Sequence, residues 1–450
     1  MTAKKRTLIV GHGGREAALA SEMARHSEVH AFIGHANPTI CDVVASSGGS
    51  FQFGDVCSPR DVARFANEVA VDIAMVSSDN PLEAGVVDAL VASGVATVGP
   101  TRAGAEIEWN KIFCREVIEE IAPEANPIHS IARSVEEVSS AVEYVASIGG
   151  PVVVKPIGLA GGKGVKVVGP HLVDNAEAVA YANDVVRSGR HGGAVVIEER
   201  IEAPEFTIQA ITDGKEVVFP PATYDYPYRF EGDRGPGTGG MGSCTLRGGL
   251  LPFLDRESYD KACAIVAQVI EYLAAHGREF SGCMNAGFFA TRGGVKVIEL
   301  NARFGDPEGI NIMSLFSGNW VEVMESIWSR SLRSTDVDLA DESSVVTYLV
   351  SPEYAISTGV RHEFTVDVDA IEAAGASVRF SSAQETGPQR YETVGTSRAV
   401  AITARSPEID TARKTVADAI SAGVRGDLEW RSDIGAFPTG TGDHAHVMRP

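Results

Sequence analysis

Residues 151–168, PVVVKPIGLAGGKGVKVV, have the composition of a phosphate-binding segment. The pattern predicts an apolar strand, a glycine-rich loop over 158–164 and a second strand. Glycine lets the backbone approach a ligand closely and turn several N–H groups towards it, and Lys155 and Lys163 bracket the loop with positive charge. The segment lacks the Walker pattern G-x-x-x-x-G-K-[ST], and a strand rather than a helix follows. A hairpin that binds a polyphosphate is the favoured interpretation, and an ordinary hairpin with a glycine-rich tip is the alternative.

A second segment, residues 295–308 (VKVIELNARFGDPE), ends a predicted strand in charged and amide side chains. Glu299 and Asn301 lie two positions apart, and a strand presents such residues on one face. Oxygen ligands of this kind suit Mg²⁺ when substrate phosphates complete its coordination. A phosphate-binding loop combined with an oxygen-ligand cluster predicts chemistry on a magnesium-bound nucleotide.

The composition is that of a globular protein with several domains. A chain of 450 residues is too long for one hydrophobic core, so roughly two to four domains are expected. With 44% hydrophobic residues, 22% charged residues and a net charge of −21, nucleic acid and anionic membranes are not expected partners. The chain starts with a predicted strand instead of a signal peptide and has no run of about 18 apolar residues. The six cysteines are scattered without a C-x-x-C pair, so a cytoplasmic protein without structural zinc or disulfides is expected.

Residues 1–100 alternate between predicted strands and helices, which indicates a doubly wound parallel sheet. The predicted strands cover 6–10, 29–34, 73–77 and 94–99, and the predicted helices cover 17–25 and 82–93. The turn GHGG (11–14) between the first strand and helix can hold a phosphate at the helix N-terminus. As a dinucleotide fingerprint it is incomplete, because the third glycine is missing and Arg15 stands where the cofactor would pack.

The rest of the chain predicts further elements around the phosphate-binding segment. A helix over 103–120 carries Lys111 at its centre, where the lysine is either a phosphate contact or part of a solvated helix face. The glycine-rich stretch 224–245 is predicted to be one long loop, and such loops in compact domains are usually lids or binding loops. Paired strands are predicted over 282–290 and 294–301.

In combination and order, these motifs resemble the ATP-grasp ligases, and more closely the archaeal-type glycinamide ribonucleotide synthetases (phosphoribosylamine–glycine ligases). The resemblance extends from residue 7 to about residue 435. It is carried by GHGGRE (11–16), NP (37–38), PL-x-x-GVVDAL (81–90), VGPT (98–101), VVVKPIGLAGGKGVKV (152–167), VVIEE (195–199), EFT-x-QA (205–210), EGDRGPGTGGMGS (231–243), KVIELNARFGDPE (296–308), TSRAV (396–400) and RSDIG (431–435). Each motif alone is weak, but their combination is specific.

The resemblance implies an α/β fold with an N-terminal doubly wound parallel sheet domain, ATP-grasp α+β domains and a small C-terminal α+β domain. The implied boundaries are 1–101 for the N-terminal substrate domain, 102–330 for the ATP-grasp domain and 331–436 for the C-terminal domain. A small lid subdomain is expected over about 124–200, and residues 437–450 are expected to be a disordered tail.

The resemblance also implies roles for individual residues, with ATP held between two subdomains and the glycine-rich loop over its phosphates. The residues implied in ATP binding are Lys111, Lys155, Gly161, Gly162, Lys163, Gly164, Glu198, Glu199 and Glu205, with Glu198 at the adenine edge and Glu205 at the ribose. Glu299 and Asn301 match the ligands of Mg²⁺ (or Mn²⁺). The residues implied in catalysis are Arg303, Asp225 and Lys163. The residues implied in substrate binding are Gly13, Gly14, Arg15, Asn37, Asp79, Arg229, Gly239, Gly240, Met241 and Asp306.

The implied reaction uses ATP to join 5-phosphoribosylamine and glycine, giving glycinamide ribonucleotide, ADP and phosphate in purine biosynthesis. A carboxylate accepts the γ-phosphoryl group to become an acyl phosphate, and an amine then displaces phosphate to form the amide. Neither step needs a protein nucleophile, so positioning, magnesium and arginine can carry catalysis. The implied partners are small-molecule substrates, without nucleic acid or membrane, and the implied assembly is a monomer or homodimer.

Several positions depart from the family pattern and keep a second hypothesis open. Ala17 replaces the histidine of GREHA, 77–79 (SSD) replaces G-P-E, and 224–228 (YDYPY) replaces Q-D-H-K-R, with Arg229 one place late. Fewer cations weaken the recognition of an anionic substrate. The alternative is therefore a ligase of the same fold that joins a different amine and carboxylate. A third hypothesis, a nucleotide-binding protein without turnover, is disfavoured by the intact magnesium-site motif.

Overall fold

The computed structural model describes residues 4–159, 164–189, 192–357 and 359–437. It confirms an α/β fold with a parallel sheet at the N-terminus. The N-terminal strands are β1 (Lys5–Val10), β2 (Ser27–Ile33), β3 (Phe51–Phe53), β4 (Ile73–Val76) and β5 (Ala96–Val98). The helices between them are α1 (Gly14–Ala24), α2 (Pro38–Ser47), α3 (Pro59–Glu68), α4 (Asp79–Ala84) and α5 (Val86–Ala92).

The N-terminal sheet has the order β3-β2-β1-β4-β5, and all its strands are parallel. Alternate residues of β1 enter different cores: Ile9 packs with α1 and α2, whereas Leu8 and Val10 pack with α3 and α5. A strand that is buried on both faces has a continuous apolar sequence, and this is why β1 could be predicted from the sequence. The strand order reverses between β1 and β4, so the loops after these strands flank a crevice of the kind that binds ligands.

Two helices predicted as single elements are each interrupted. The helix predicted over 82–93 consists of α4 and α5, because Gly85 between them has a φ of +82° and ends α4. The helix predicted over 103–120 consists of α6 (Arg102–Trp109) and α7 (Lys111–Ile121). Asn110 caps α7 by accepting a hydrogen bond from Phe113 N at 3.2 Å. Lys111 is therefore the first residue of α7 and not the centre of a long helix.

A small antiparallel sheet with its own core follows a 3₁₀ turn at Pro123–Ala125. Its elements are β6 (His129–Ala132), α8 (Val135–Gly149), β7 (Val152–Pro156), β8 (Lys166–Val167), α9 (Asn175–Ser188) and β9 (Val195–Glu199), with the strand order β6-β9-β7-β8. Strands β7 and β8 are the two strands predicted around the glycine-rich loop, so the hairpin is confirmed. Gly161, Gly162 and Lys163, which come between these two strands in the sequence, lie outside the described residues.

The central region contains strands where one long loop was predicted. Its elements are β10 (Glu205–Thr212), β11 (Val217–Val218), β12 (Thr223–Asp225), β13 (Tyr228–Phe230), β14 (Arg234–Gly237), β15 (Gly242–Thr245), α10 (Arg256–Ala275), β16 (Gly282–Thr291), β17 (Gly294–Asn301), α11 (Glu308–Leu315) and α12 (Trp320–Trp328). The predicted loop 224–245 thus holds four short strands. The many glycines and prolines of this stretch obscure the alternation of side chains that predicts a strand. Strand pairing nevertheless needs only backbone N–H and C=O groups, and every residue except proline has both. The predicted pair β16 and β17 is confirmed.

The C-terminal strands extend the central sheet. After a 3₁₀ turn at Ser334–Asp336, the elements are β18 (Ser343–Val350), β19 (Glu363–Val366), α13 (Val368–Ala373), β20 (Ser377–Phe380), β21 (Ala383–Gly387), β22 (Arg390–Thr393), β23 (Arg398–Ser406), α14 (Ile409–Gly423) and β24 (Val424–Gly426). The central sheet runs β17-β16-β10-β12-β15-β18-β23-β20, and the other strands form the sheet β21-β22-β19-β24. Because β15 pairs with β18, the boundary expected at 330–331 divides one continuous sheet.

Three further expectations concern the chain as a whole. In the described part of the chain, no helix is both long and apolar enough to cross a membrane. All six cysteines are unpaired. The disordered tail expected over 437–450 lies outside the described residues, apart from residue 437.

Candidate active site

Two cavities share part of their walls and form one cleft. The first cavity has a volume of about 520 Å³ and lies between strands β7 and β9 of the small antiparallel sheet and the start of β10. The second cavity has a volume of about 750 Å³ and is bounded by the N-terminal domain, the end of β17 and the segment before β23. Glu205, Asp225 and Pro227 belong to both walls. A ligand in the first cavity can therefore extend into the second.

The structure brings most of the predicted site residues to this cleft. Those that line the first cavity are Lys155, Glu198, Glu199, Glu205 and Asp225. Those that line the second are Arg15, Asp79, Lys111, Gly239, Glu299, Asn301, Arg303 and Asp306, with Glu205 and Asp225 shared. Those placed outside both walls are Gly13, Gly14, Asn37, Gly164, Arg229, Gly240 and Met241.

Lys155 and Glu198 form a buried ion pair at the wall of the first cavity. Lys155 Nζ lies 2.8 Å from Glu198 Oε2 and donates to Ile298 O at 3.1 Å. Arg115 binds the same carboxylate in bidentate fashion, at 2.7 Å to Oε1 and 3.0 Å to Oε2. Burial opposes ionisation of Glu198, but Arg115 and Lys155 outweigh it and lower the pKa of Glu198 to about 2. The carboxylate expected at the adenine edge is thus already engaged by two cations, and it holds Lys155 in place.

The two other acids of the first cavity have different surroundings. Glu199 Oε1 accepts a hydrogen bond from Ile128 N at 2.8 Å and so fixes the entry to β6. Glu205 starts β10, at the junction of both cavities. Burial raises the pKa of Glu205 to about 7, against the attraction of Lys155 and with a contribution from Glu299. Glu205 therefore changes charge near neutral pH.

Glu299 and Asn301 supply the oxygen atoms that a hard divalent cation prefers. Asn301 Nδ2 donates to Glu299 Oε1 at 3.3 Å, so the two side chains lie side by side at the end of β17. Glu299 is exposed and lines the second cavity. One carboxylate and one amide beside an open cavity fit a Mg²⁺ ion whose remaining ligands come from phosphates and water.

Arg303 is held at the same wall by a buried acid. Its Nη2 lies 3.1 Å from Glu108 Oε1 and donates to Asn301 Oδ1 at 3.2 Å. Although burial opposes it, Glu108 keeps the pKa of Arg303 above its usual value. Lys111 Nζ donates to Gly158 O at 3.3 Å, which directs this lysine to the base of the glycine-rich loop. Burial lowers the pKa of Lys111, so binding of a phosphate there would restore its preference for the charged form.

A second acid joins Asp225 in the second cavity. Glu308, the first residue of α11, was quoted in the sequence motif but not assigned a role. Burial raises the pKa of Glu308 and raises that of Asp225 well above its usual value, with repulsion from Glu308 adding to the shift at Asp225. Asn285 Nδ2 donates to Glu308 Oε1 at 3.4 Å. Two carboxyl groups and the amide of Asn285 therefore line this part of the second cavity.

The predicted phosphate-binding turn is closed by contacts within the protein. Gly13 N donates to Glu16 Oε2 at 2.8 Å, and Gly14 N donates to Ser381 Oγ at 3.1 Å. These two N–H groups therefore already have hydrogen-bond acceptors within the protein. Arg15 lines the second cavity, with Nε 2.7 Å from Glu16 Oε1 and Nη1 donating to Phe304 O at 3.0 Å. Within this turn, Arg15 is the side chain that reaches the cleft.

Three other predicted substrate residues stabilise the fold. Asn37 Nδ2 donates to Phe380 O at 2.8 Å, and its Oδ1 caps α2. Arg229 is buried and lies 2.6 Å from Glu429, facing the C-terminal region and not the cleft. Met241 is a fully buried core residue.

Sequence reasoning missed Arg398, the first residue of β23. Its Nη1 donates to Gly239 O and, at 3.3 Å, to Gly240 O. Its Nη2 lies 3.2 Å from Asp306 Oδ2, and its guanidinium stacks 4.6 Å from the centre of the Tyr348 ring. Arg398 thus clamps the glycine-rich segment to the loop before α11. The motif TSRAV (396–400) was the signal that could have identified it.

Comparison with solved structures shows the fold of the protein. The crystal structure of phosphoribosylamine–glycine ligase from Thermotoga maritima superposes with a TM-score of 0.77 at 22% identity, covering 95% of this chain and 99% of that one. The biotin carboxylase domain of Hydrogenobacter thermophilus 2-oxoglutarate carboxylase superposes with a TM-score of 0.69 at 16% identity, covering 96% and 92%. The fold is that of the ATP-grasp enzymes.

Sequence comparisons assign the family. The family profile for the phosphoribosylglycinamide synthetase N domain matches residues 5–108, and that for its ATP-grasp (A) domain matches residues 110–309. The phosphoribosylamine–glycine ligase of Thermococcus kodakarensis is 38% identical over 430 residues, which is 96% of both chains. That of Pyrococcus furiosus is 39% identical over 434 residues, which is 96% of this chain and 94% of the relative. The chain belongs to the phosphoribosylglycinamide synthetase family.

Proposed function

We propose that the protein joins 5-phosphoribosylamine and glycine at the expense of ATP, giving glycinamide ribonucleotide, ADP and phosphate. The observation that supports this most directly is the continuity of the two cavities through Glu205 and Asp225. The first cavity suits the nucleoside part of ATP. The second contains the metal-ligating pair and Arg303 at one wall and Arg15 at another, so nucleotide and acceptor can meet there.

The residues of the chain act by positioning and by charge. Lys155 and Lys111 approach the phosphate chain from the lid hairpin and from α7. When bound to Glu299 and Asn301, Mg²⁺ would neutralise charge on the phosphates. Arg303 offers its guanidinium to the γ-phosphoryl group as the carboxylate of glycine attacks it, and the amine then displaces phosphate from the acyl phosphate. Stabilising developing charge with preorganised groups is sufficient for both steps.

Several residues that depart from the family pattern pack or form hydrogen bonds within the protein, away from the two cavities. Ala17 is fully buried in the core, Ser77 Oγ accepts a hydrogen bond from Phe304 N at 3.1 Å, and Tyr226 OH accepts one from Gly435 N at 2.8 Å. None of these three side chains lines either cavity. Tyr224 and Tyr228 line the first cavity and not the second. Asp79 and Pro227, two further departures, line the second cavity, so a ligase for a different amine and carboxylate is the alternative.

The direct test is product formation by the purified protein with ATP, magnesium, glycine and 5-phosphoribosylamine. Mass spectrometry should detect glycinamide ribonucleotide, and omission of any one component should abolish it. Growth of a purine auxotroph that lacks the synthetase tests the same reaction in a cell. A folded protein that binds ATP but forms no product would instead direct the search to other amines and carboxylates.

The pKa of Glu205, at the wall of the first cavity, predicts an affinity for ATP that depends on pH. With a pKa of about 7, Glu205 loses its charge as the pH falls from about 8 to about 6, and a neutral carboxyl accepts hydrogen bonds from ribose hydroxyls less well. We expect the KM for ATP to rise by up to about tenfold over this interval. The side chain of Glu205→Gln cannot titrate, so the KM for ATP of this variant should not change with pH over the same interval. Parallel pH profiles for the two proteins would contradict the assignment of Glu205.

The position of Arg15 in the second cavity predicts that its substitution weakens the binding of 5-phosphoribosylamine and not that of ATP. A lysine keeps the charge but not the planar donor pair, so Arg15→Lys should raise the KM for 5-phosphoribosylamine by roughly 10-fold and Arg15→Ala by roughly 100-fold. The KM for ATP should change by less than about twofold. Arg25→Ala, at an exposed arginine after α1, is the matched control. Equal increases in both KM values would show that Arg15 supports the fold and not the substrate.

We further propose that the divalent ion is Mg²⁺, replaceable by Mn²⁺, and that the protein is a cytoplasmic monomer or homodimer. Activity titrations with each metal and light scattering on the purified protein test the metal preference and the assembly.

A further inference from the structure

Four buried polar side chains behind the cleft each keep one atom without a hydrogen-bond partner among the described residues. The atoms are Gln209 Nε2, Thr223 Oγ1, Ser243 Oγ and Asn311 Nδ2. All four residues are fully buried, and none of them lines either cavity. Buried polar atoms in folded proteins are nearly always paired, so a group of unpaired ones indicates a bound molecule.

The register of the strands places three of these side chains on one face of the central sheet. Thr207 of β10 lies opposite Thr223 of β12, and Gln209 is two positions from Thr207. Asp225, two positions from Thr223, lies opposite Ser243 of β15. Residues that are directly opposed, or two apart on one strand, share a face of a sheet. Gln209, Thr223 and Ser243 therefore point to the same side.

Helix α11 covers this face of the sheet and carries the fourth side chain. It packs against β12, β15 and β18. Ser344 of β18 lies opposite Thr245, which is two positions from Ser243 and on the same face. Ser344 Oγ donates to Asn311 Oδ1 at 2.8 Å, so the side chain of Asn311 lies between the helix and the sheet. The four unpaired atoms thus belong to one buried layer.

The mixture of donors and acceptors in this layer identifies the class of the bound molecule. The amide nitrogens of Gln209 and Asn311 only donate, whereas hydroxyl groups donate or accept. Asn285, opposite Gln209 on β16, adds an unpaired Oδ1 that only accepts. A cation would meet the amide donors unfavourably, and an anion would meet the amide oxygen unfavourably. Water serves both kinds of group, and a buried water needs a space of only about 10–15 Å³.

We propose that a cluster of ordered water molecules lies between α11 and the central sheet and pairs the polar groups of Gln209, Thr223, Ser243 and Asn311. A buried water makes about three hydrogen bonds, so a few molecules satisfy all four groups. The site is separate from the cleft, and the inference does not rest on the proposed function.

Removal of the Thr223 hydroxyl distinguishes a water-bound group from an unpaired one by the sign of the change in melting temperature. Thr223→Val keeps the shape of the side chain and removes its hydrogen-bonding atom. If water pairs the hydroxyl, the substitution should lower the melting temperature, measured by calorimetry, by roughly 1–4 °C. If the hydroxyl is buried without a partner, its removal relieves a desolvation penalty and should raise the melting temperature.

Thr245→Val is the matched control, because Thr245 lies opposite Thr223 and is equally buried. Its hydroxyl donates to Ala222 O at 2.8 Å, so its removal should lower the melting temperature by a similar amount. Thr365→Val, at an exposed position of β19, should change the melting temperature by less than about 1 °C.

A crystal structure of the full protein, at a resolution that shows ordered solvent, locates the waters directly. We expect electron density within hydrogen-bond distance of Thr223 Oγ1 and Ser243 Oγ. A second crystal, grown with rubidium chloride, tests for a bound cation, because rubidium scatters anomalously and water does not. We expect no anomalous peak between α11 and the sheet.

Three results would each overturn the inference: a higher melting temperature in Thr223→Val, direct hydrogen bonds among the four side chains without density between them, or a rubidium peak in the layer. If Thr223→Val does not fold, the crystal structure decides. Neither measurement involves the substrates. A protein without ligase activity would therefore overturn the proposed function and leave the water site intact.

Discussion

Glu299→Gln is expected to lower kcat by at least about 100-fold while the fold is retained. A bound divalent ion contributes several kcal/mol to the stabilisation of charge in phosphoryl transfer, and each 1.4 kcal/mol corresponds to about tenfold in rate. Glu299 is exposed at the end of β17 and lines the second cavity. The amide in Gln keeps the shape of the side chain but removes the charge that attracts the cation.

The measurement is initial-rate kinetics over a magnesium titration, with circular dichroism as the check on folding. Glu271→Gln, which removes an exposed carboxylate from α10, is the matched control and should keep the wild-type kcat. The magnesium concentration at half-maximal rate should rise in Glu299→Gln. An unimpaired kcat at saturating magnesium would rule Glu299 out as a metal ligand.

Glu198→Gln is expected to destabilise the protein by about 3–5 kcal/mol, because removal of one partner leaves buried cations without compensation. The carboxylate binds both Arg115 and Lys155 and is almost fully buried. The lowering of its pKa from 4.5 to about 2 corresponds independently to about 3 kcal/mol. Since the folded-state pKa is the lower one, this stabilisation is present above about pH 4.5 and is lost as the pH falls towards 2.

Urea denaturation of the wild type and of Glu198→Gln at neutral pH measures this free energy. The nearby pair between Arg200 and Glu202 provides the control, because Glu202 is 68% exposed. Surface pairs contribute at most about 1 kcal/mol, so Glu202→Gln should leave the free energy of unfolding nearly unchanged. If both substitutions lowered the free energy of unfolding equally, burial would not strengthen the ion pairs of Glu198 with Arg115 and Lys155.

Residue patterns were sufficient for those parts of the site that lie on one element or on two adjacent ones. The β7–β8 hairpin follows from apolar runs on both sides of a glycine-rich loop. Glu299 and Asn301 were correctly placed side by side, because positions two apart on a strand share a face. The parallel N-terminal sheet follows from strands that are buried on both faces and alternate with helices.

Single residues between elements were harder to interpret. Gly85 and Asn110 each interrupt a helical pattern that continues on both sides. Periodicity reports which face of a helix is apolar, and it is insensitive to one residue that leaves the helical region of backbone conformation. Strands β14 and β15 were missed for a related reason, since their glycines carry no side chains to alternate.

The partner of each polar side chain depended on elements that are far apart along the chain. Glu198 meets Arg115 of α7, Gly14 N meets Ser381, and Arg398 clamps Gly239. A motif indicates that a charged residue matters but not whether it faces a ligand or an opposite charge within the fold, because that choice depends on which groups tertiary packing buries beside it.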